Sequence, residues 1–256
     1  MDIKTISRQF AEGNDKILVL KSCLELLKKD ETFARELWDI NELPLVILQI
    51  ITDSFYILST PQFNKEKSDE VKVCIDILRS LIEVGEIRDF FLNAKLDYYI
   101  YPFLMSATDE SLKISTLCLF SAILKEGLPE SMKGSELLPL LLKIVDSDSE
   151  VCQIMALQTM DLVLIDAGLD YAVQTIDRFQ AIDVVLSAIL TKAIFANNKK
   201  LVKILLKIYS RLCDKPNVYH KLKEKIPEGL DSKEIIRMCE DDKEIKELRS
   251  KFFKSI

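Results

Sequence analysis

Apolar residues recur along most of the chain with the three-to-four-residue spacing of an amphipathic helix. The first clear case is a predicted helix that ends near Lys29 and starts at a cap formed by Asn14 or Asp15. Its apolar face carries Ile17, Leu20, Leu24 and Leu27. With only 6 Gly and 7 Pro in 256 residues, the composition favours long helices over a turn-rich β protein.

A strongly apolar segment at residues 43–58, LPLVILQIITDSFYIL, predicts a helix with little polar face. Such a helix is either buried in the protein or covered by a partner. The polar residues 59–67 predict a loop, and residues 68–84 predict the next helix. We expect Gly85 to end that helix, because glycine is common just after a helix C-terminus.

The helical pattern repeats in three consecutive units, at residues 88–127, 130–168 and 169–215. Each unit reads as a short, a medium and a long helix, and a period of roughly 40 to 47 residues is typical of armadillo and HEAT solenoids. The three-helix content favours armadillo. Residues 216–256 predict two smaller helices and a charged terminal one, which form a polar cap. We therefore predict an all-α fold, a right-handed superhelical armadillo solenoid, as one domain over residues 1–256.

Charge and cysteine content limit the ligands and cellular compartments that we expect for the protein. A net charge of −6 and a pI of about 5.1 argue against attraction of the whole molecule to nucleic acid, although local basic patches stay open. The six cysteines include no Cys-x-x-Cys pair, so we expect buried, reduced thiols and an intracellular location, in the cytoplasm with or without the nucleus. The first ten residues lack a signal core, and the apolar run at 43–51 is too short for a bilayer.

No catalytic motif is present in the sequence. It contains no GxGxxG, phosphate loop, GxSxG or HExxH pattern. His220, the single histidine, is predicted to be an exposed structural residue, and the potential metal ligands are not clustered. We predict a protein that is not an enzyme and has no catalytic residue, cofactor or metal, the alternative being an active site built from distant residues.

One predicted helix carries a stripe of cations beside its apolar face, offset from it by about 125° at 100° per residue. This basic stripe consists of Lys200, Lys203, Lys207 and Arg211. It is either a solvated charged face or a seat for an acidic or polyanionic ligand such as RNA.

Two further residues have alternative interpretations. Arg178, at the start of a helix, either pairs with Asp177 or Asp183 or frames an aromatic or peptide pocket, because guanidinium stacks well on rings. Trp38 is the only tryptophan, and its simplest interpretation is an anchor between helices.

An ordered series of residues between about 15 and 254 resembles the Rcd-one family, also called Caf-forty, the armadillo subunit of the Ccr–Not deadenylase complex. The matching residues are Leu37-Trp38, Gln49, IRDFFLNAKLDYYIYPFL at 87–104, Ser149-Glu150, Gly168-Leu169, Tyr171, Gln174-Thr175, Arg178-Phe179, Tyr209, Arg211-Leu212, Asp214 and Pro216.

The resemblance implies a non-catalytic adaptor that docks on the large Not scaffold and recruits mRNA regulators through short helical peptides. It further implies that RNA or another polyanion can bind in the groove. A homodimer stays an open alternative, and no membrane partner is implied. The implied scaffold-side positions are Trp38, Asp39, Asn41, Leu45, Gln49 and Thr52. Arg178 matches a family pocket for tryptophan, whereas Ile176, Asn217 and Lys221 depart from its pattern. The implied groove positions are Ser111, Cys118, Met155 and Lys200, to which the basic stripe adds Lys203, Lys207 and Arg211.

Overall fold

The structure, a computed structural model, describes residues 3–12, 15–30, 32–40, 42–105, 109–147 and 149–256. Every regular element within these ranges is an α-helix or a short 3₁₀ helix. None of the described helices is long and apolar enough to cross a bilayer.

The chain forms two compact units, residues 1–123 and 124–256. The α-helices of the first unit are α1 (Ile3–Ala11), α2 (Lys16–Lys29), α3 (Phe33–Trp38), α4 (Glu42–Phe55), α5 (Lys65–Leu81), α6 (Gly85–Asn93), α7 (Pro102–Met105) and α8 (Glu110–Ile123). Those of the second unit are α9 (Leu137–Ser147), α10 (Glu150–Val163), α11 (Ala167–Ala172), α12 (Ile176–Phe195), α13 (Lys199–Leu212), α14 (Pro216–Glu224), α15 (Lys233–Asp241) and α16 (Lys243–Ser255).

In the first unit α2, α5 and α8 pack side by side in that order. Helix α4 packs against α5, and α3 contacts α2, α4 and α5. The interior is aliphatic, with Ile47 of α4 and Ile75 of α5 fully buried. The 3.6-residue period places these residues on one face of each helix, which explains why the sequence pattern located them.

In the second unit α10, α13 and α16 form the corresponding row, while α12 packs against α9, α13, α14 and α15. Tyr209 of α13 is fully buried, and its hydroxyl donates to Asp183 Oδ1 of α12 at 2.8 Å. Burial, together with that carboxylate, raises the pKa of Tyr209 well above its ordinary value. The bond therefore joins α13, a helix of the row, to α12, which packs against the row, inside the core.

Two helix predictions are wrong. Gly85 does not end a helix; α5 stops at Leu81 and Gly85 is the first residue of α6, without the positive φ of a glycine cap. The predicted medium helix at 96–105 is a 3₁₀ helix, Leu96–Tyr99, followed by the separate α7. Pro102 explains this break, because proline has no N–H to continue a preceding helix and favours a first helical turn. The single domain, with its repeat boundaries and cap, stays a prediction.

Asp242 has two roles at the start of α16. Its carboxylate caps the helix by accepting from the backbone N–H groups of Glu244 and Ile245, at 3.0 and 3.3 Å. It also binds Lys203 Nζ of α13 at 2.8 Å, and Lys203 reaches Glu244 at 2.7 Å. The bond to Lys203 lowers the pKa of Asp242 below its ordinary value.

Gly168 is held against the end of α10. A Cβ at this position would lie 1.8 Å from the carbonyl oxygen of Val163, a backbone atom that cannot rotate away. We expect Gly168→Ala to lower the free energy of unfolding by roughly 2 to 3 kcal/mol, because the α10–α11 turn must open. Urea denaturation measures the change.

Gly85→Ala is the matched control, since no atom lies within 4 Å of a Cβ placed there. Equal stability of the two variants would contradict the close approach at Gly168.

Asp242→Asn retains a capping side chain but removes the charge that Lys203 binds. Because the folded-state pKa of Asp242 is lowered, its contribution to stability is present above the unfolded pKa of about 3.9 and is lost as the pH falls through the folded value. We therefore expect the variant to be less stable at neutral pH and the difference to vanish in acid. Urea denaturation over a pH series measures it.

Asp241→Asn is the control, because Asp241 is exposed and 3.9 Å from its nearest cation, Lys199. A stability difference for Asp242→Asn that persists unchanged into acid would refute the ion-pair account.

Candidate functional site

The outer face of α4 brings together three of the predicted scaffold-side residues. Leu45, Gln49 and Thr52 are spaced by four and three residues, so they share one face of the helix. The Leu45 side chain is 67% exposed, and Gln49 Oε1 accepts from Lys16 Nζ at 3.1 Å. Thr52 is half-buried. The face therefore offers an apolar side chain and an amide to solvent.

Tyr56 extends the same face, and the sequence reasoning missed it. It lies just after the end of α4, eleven residues beyond Leu45, and is 89% exposed. Eleven residues make just over three helical turns, so the spacing itself was the signal that could have found it. We call Leu45, Gln49, Thr52 and Tyr56 the α4 face.

Trp38 closes α3 and makes an edge-to-face contact with Phe90 of α6, with ring centroids 5.5 Å apart. This geometry fits the expected anchor between helices, although Trp38 stays half-buried and Phe90 is exposed. Asp39 caps the C-terminus of α3 and is exposed. Asn41, another predicted contact position, lies outside the described residues.

Arg178 does not pair with a neighbouring acid. Its Nη1 donates to Tyr171 O at 3.0 Å and to Gln174 Oε1 at 3.2 Å, and its guanidinium lies 4.6 Å from the centroid of the Tyr171 ring. Asp183 instead accepts from Tyr209 in the core. Of the two interpretations of Arg178, the one with an acid partner is wrong, and the guanidinium does lie over an aromatic ring as the other interpretation expected. The pocket itself stays a prediction.

The neighbouring residues that depart from the family pattern have internal partners. Asn217, in the first turn of α14, donates through Nδ2 to Val173 O at 3.2 Å. Lys221 pairs with Glu224 at 2.8 Å on the same helix. Ile176 is the first residue of α12 and is half-buried. Asn217 therefore ties the start of α14 to the residue that follows α11.

The basic stripe lies on α13, but it is not an unpaired positive patch. Lys203 binds Asp242 and Glu244, and Lys207 binds Glu244 at 3.3 Å. The start of α16 supplies these two cations with carboxylates within ion-pair distance, and a role of the stripe in binding a polyanion stays a prediction.

The remaining groove residues lie on α8, α10 and α13. Arg211 binds Asp161 of α10 through Nε at 2.7 Å, which neutralises a third member of the stripe. Lys200 is exposed, and Met155 of α10 is half-buried. Ser111 and Cys118 belong to α8 in the first unit.

Four of the six cysteines, Cys23, Cys74, Cys152 and Cys213, are buried. Burial raises the pKa of the Cys23 thiol to about 12 and that of Cys213 to about 11, which keeps both protonated. Over the described ranges, no group of three or more His, Cys, Asp or Glu residues could hold a metal ion.

Solved structures resemble this one over its whole length. A computationally designed armadillo repeat protein for modular peptide recognition matches 100% of both chains with a TM-score of 0.70 and 10% identity. An engineered protein from the Northeast Structural Genomics Consortium matches 100% of this chain and 96% of its own, with a TM-score of 0.69 and 13% identity. The predicted all-α armadillo fold class is confirmed.

Sequence relatives agree with the resemblance seen in the residues. The chain is similar to cell differentiation protein rcd1 of Schizosaccharomyces pombe, with 28% identity over 233 residues, 87% of this chain and 82% of that protein. It is also similar to protein CAF40 of Saccharomyces cerevisiae, with 25% identity over 234 residues, 87% of this chain and 63% of that protein. The model of the Rcd1-like cell differentiation family matches residues 8–256. The protein therefore belongs to the Rcd1-like cell differentiation family.

Proposed function

We propose that this protein is a non-catalytic adaptor subunit of the Ccr–Not deadenylase complex. In this role it docks on the large Not scaffold through the α4 face and recruits regulators of mRNA decay and translation. Membership of the Rcd1-like family supports the complex, and the exposed α4 face is the observation that carries the docking surface. The proposal implies action in the cytoplasm, with or without the nucleus.

The α4 face has the character of a protein-binding surface. Helix α4 buries Ile47 and Ile51 completely on one side, yet Leu45 on the other side stays mostly in solvent. A surface helix normally carries polar residues outward, so an apolar outward residue favours a partner that covers it. Tyr56 adds a large aromatic side chain, the type that anchors interfaces.

The edge of the α4 face is acidic. Glu42 and Asp53 are exposed and lie along one side of the line from Leu45 to Tyr56 on the same helix. Interfaces commonly place charged residues around an apolar centre, where they set partner choice more than affinity. A partner helix with apolar anchors and basic neighbours would complement this arrangement.

Recruitment of regulators is assigned to the exposed surface around Arg178. The guanidinium is held over Tyr171 and keeps an edge toward solvent, which suits contact with a peptide carbonyl or a further ring. The basic stripe gives no comparable support for RNA, because Lys203, Lys207 and Arg211 are neutralised within the chain. We therefore propose peptide partners and no second function.

We expect Leu45→Asp to abolish recovery of the Not scaffold and the deadenylases when the tagged protein is purified from its own cells. A carboxylate placed in an apolar interface loses its hydration without a partner, which costs several kcal/mol, about a thousandfold in affinity. Mass spectrometry of the recovered proteins measures the loss. The fold should be unchanged because the side chain is exposed.

Leu18→Asp is the matched control, since Leu18 is 64% exposed on α2 and lies about 200° around that helix from Lys16, which faces Gln49. Recovery of the scaffold by a folded Leu45→Asp protein would refute the assignment of the α4 face as the docking surface. Absence of the scaffold from purifications of the unmodified protein would refute membership of the complex.

We expect Tyr56→Ala to weaken scaffold binding by about tenfold or more, because an aromatic anchor at an interface commonly contributes over 1 kcal/mol. Titration of the purified protein with the purified scaffold measures the change. Tyr219→Ala, on α14 of the second unit, should bind as the parent does. Equal affinities for the two variants would remove Tyr56 from the interface.

A further inference from the structure

Helices α15 and α16 border an open cleft of about 700 Å³. Its apolar lining consists of Ile236 and Cys239 of α15 and Phe253 of α16. Ile236 is 46% exposed, and the other two side chains are half-buried. The cleft therefore leaves apolar surface accessible to solvent on the second unit. We call it the α15–α16 cleft.

The α16 side of the cleft is basic. Lys246 and Lys254 line the cleft, and Lys243 and Lys251 continue the positive charge along the outward side of the helix. All four side chains are exposed and fall within about 140° of one another around the helix axis. They form two pairs, 243 with 246 and 251 with 254, about 12 Å apart along the helix. We call these four residues the α16 lysines.

The α16 lysines have no carboxylate partner among the described residues. This distinguishes them from Lys203 and Lys207 of α13, which both bind Glu244. Glu247, between the two pairs of lysines, contributes a single negative charge to the same face. The face is therefore locally positive on a protein whose net charge is −6, and a negatively charged partner would relieve the repulsion between the lysines.

The lining of the cleft favours a peptide over a nucleic acid. Phe253 is the only aromatic residue among the described side chains that line it. The guanidinium of Arg249 lies 4.6 Å from the centroid of the Phe253 ring, and Phe252 packs against the ring edge-to-face. Little of the ring is left for base stacking, on which single-stranded nucleic-acid binding commonly depends. Aliphatic side chains need no such ring face, and an amphipathic helix inserts them into a groove of this kind.

We infer that the α15–α16 cleft is a docking site for an acidic amphipathic helix of a partner protein. Its apolar side chains, spaced by three or four residues, contact the lining, and its neighbouring carboxylates pair with the α16 lysines. The span from Lys243 to Lys254 is about 16 Å, so a partner helix of roughly three turns is long enough. The inference does not rest on the docking proposal, because the cleft and α4 belong to different units and its test needs no Not scaffold.

Fluorescence anisotropy with a labelled synthetic peptide tests the site on the full chain. The peptide is a helix of about three turns, with leucines at every third or fourth position and glutamates beside them. The parent should bind it saturably, and more weakly as salt is added. Lys246→Glu/Lys254→Glu should raise the dissociation constant by about tenfold or more, because two attractions become repulsions.

Lys29→Glu/Lys143→Glu is the matched control, since it changes the net charge equally at two exposed lysines on α2 and α9. This variant should bind the peptide as the parent does. Equal weakening in the two double variants would show that overall charge attracts the peptide and would overturn the inference. Far-UV circular dichroism confirms that each variant keeps its helices.

The apolar part of the site has its own test. Ile236→Asp should weaken binding of the leucine peptide by about tenfold, and a peptide with serine in place of leucine should bind the parent at least as weakly. Equal binding of the leucine and serine peptides would overturn the amphipathic partner. An oligoadenylate that binds the parent more tightly than the peptide, and is lost in Lys246→Glu/Lys254→Glu, would assign the cleft to nucleic acid. A parent without saturable binding up to roughly 1 mM peptide would also overturn the proposal.

Discussion

The burial of α13 is the constraint on which the second unit depends. Val202, Leu205 and Tyr209 are fully buried, because α10, α12 and α16 each cover part of the helix. Only a narrow edge of α13 is left for its cations. On that edge the carboxylates of α10 and α16 lie within ion-pair distance, so the electrostatics of this helix follow from its packing.

In both units, an aspartate at the start of one helix forms an ion pair with a lysine on the preceding helix of the row. In the second unit Asp242 caps α16 and binds Lys203 of α13. In the first unit Asp109 accepts from Leu112 N at the start of α8 and binds Lys65 at the start of α5 at 2.8 Å. Each carboxylate compensates backbone N–H groups and a lysine at once, which fixes how far one helix slides along the next.

The sequence predicted the helices well wherever the apolar period was long. The two smaller helices and the charged terminal helix expected within residues 216–256 correspond to α14, α15 and α16. Local sequence signals gave wrong helix boundaries at two places. Gly85 has the composition of a helix end but begins α6, and the break before Pro102 divides a continuous apolar pattern.

The candidate sites were less predictable because their properties depend on distant residues. The spacing of Lys203 and Lys207 predicted a stripe correctly, yet their acid partners lie on another helix about forty positions away in sequence. For Arg178 the sequence left open an acid partner or an aromatic one, and only the fold shows that the partner is the ring of Tyr171. The exposure of Leu45 and Ile236 is likewise a result of which helix faces pack, and periodicity alone does not reveal it.

The aromatic contact at the end of α3 has a practical consequence for spectroscopy. Trp38 is the only tryptophan of the chain, half-buried against Phe90 and next to the exposed Asp39. Its indole emission therefore reports on one defined place, the junction of α3 and α6, without any label. Changes in solvent exposure at that junction will shift the emission wavelength, whereas events around α12 or α16 must be followed through the three tyrosines of the second unit, Tyr171, Tyr209 and Tyr219.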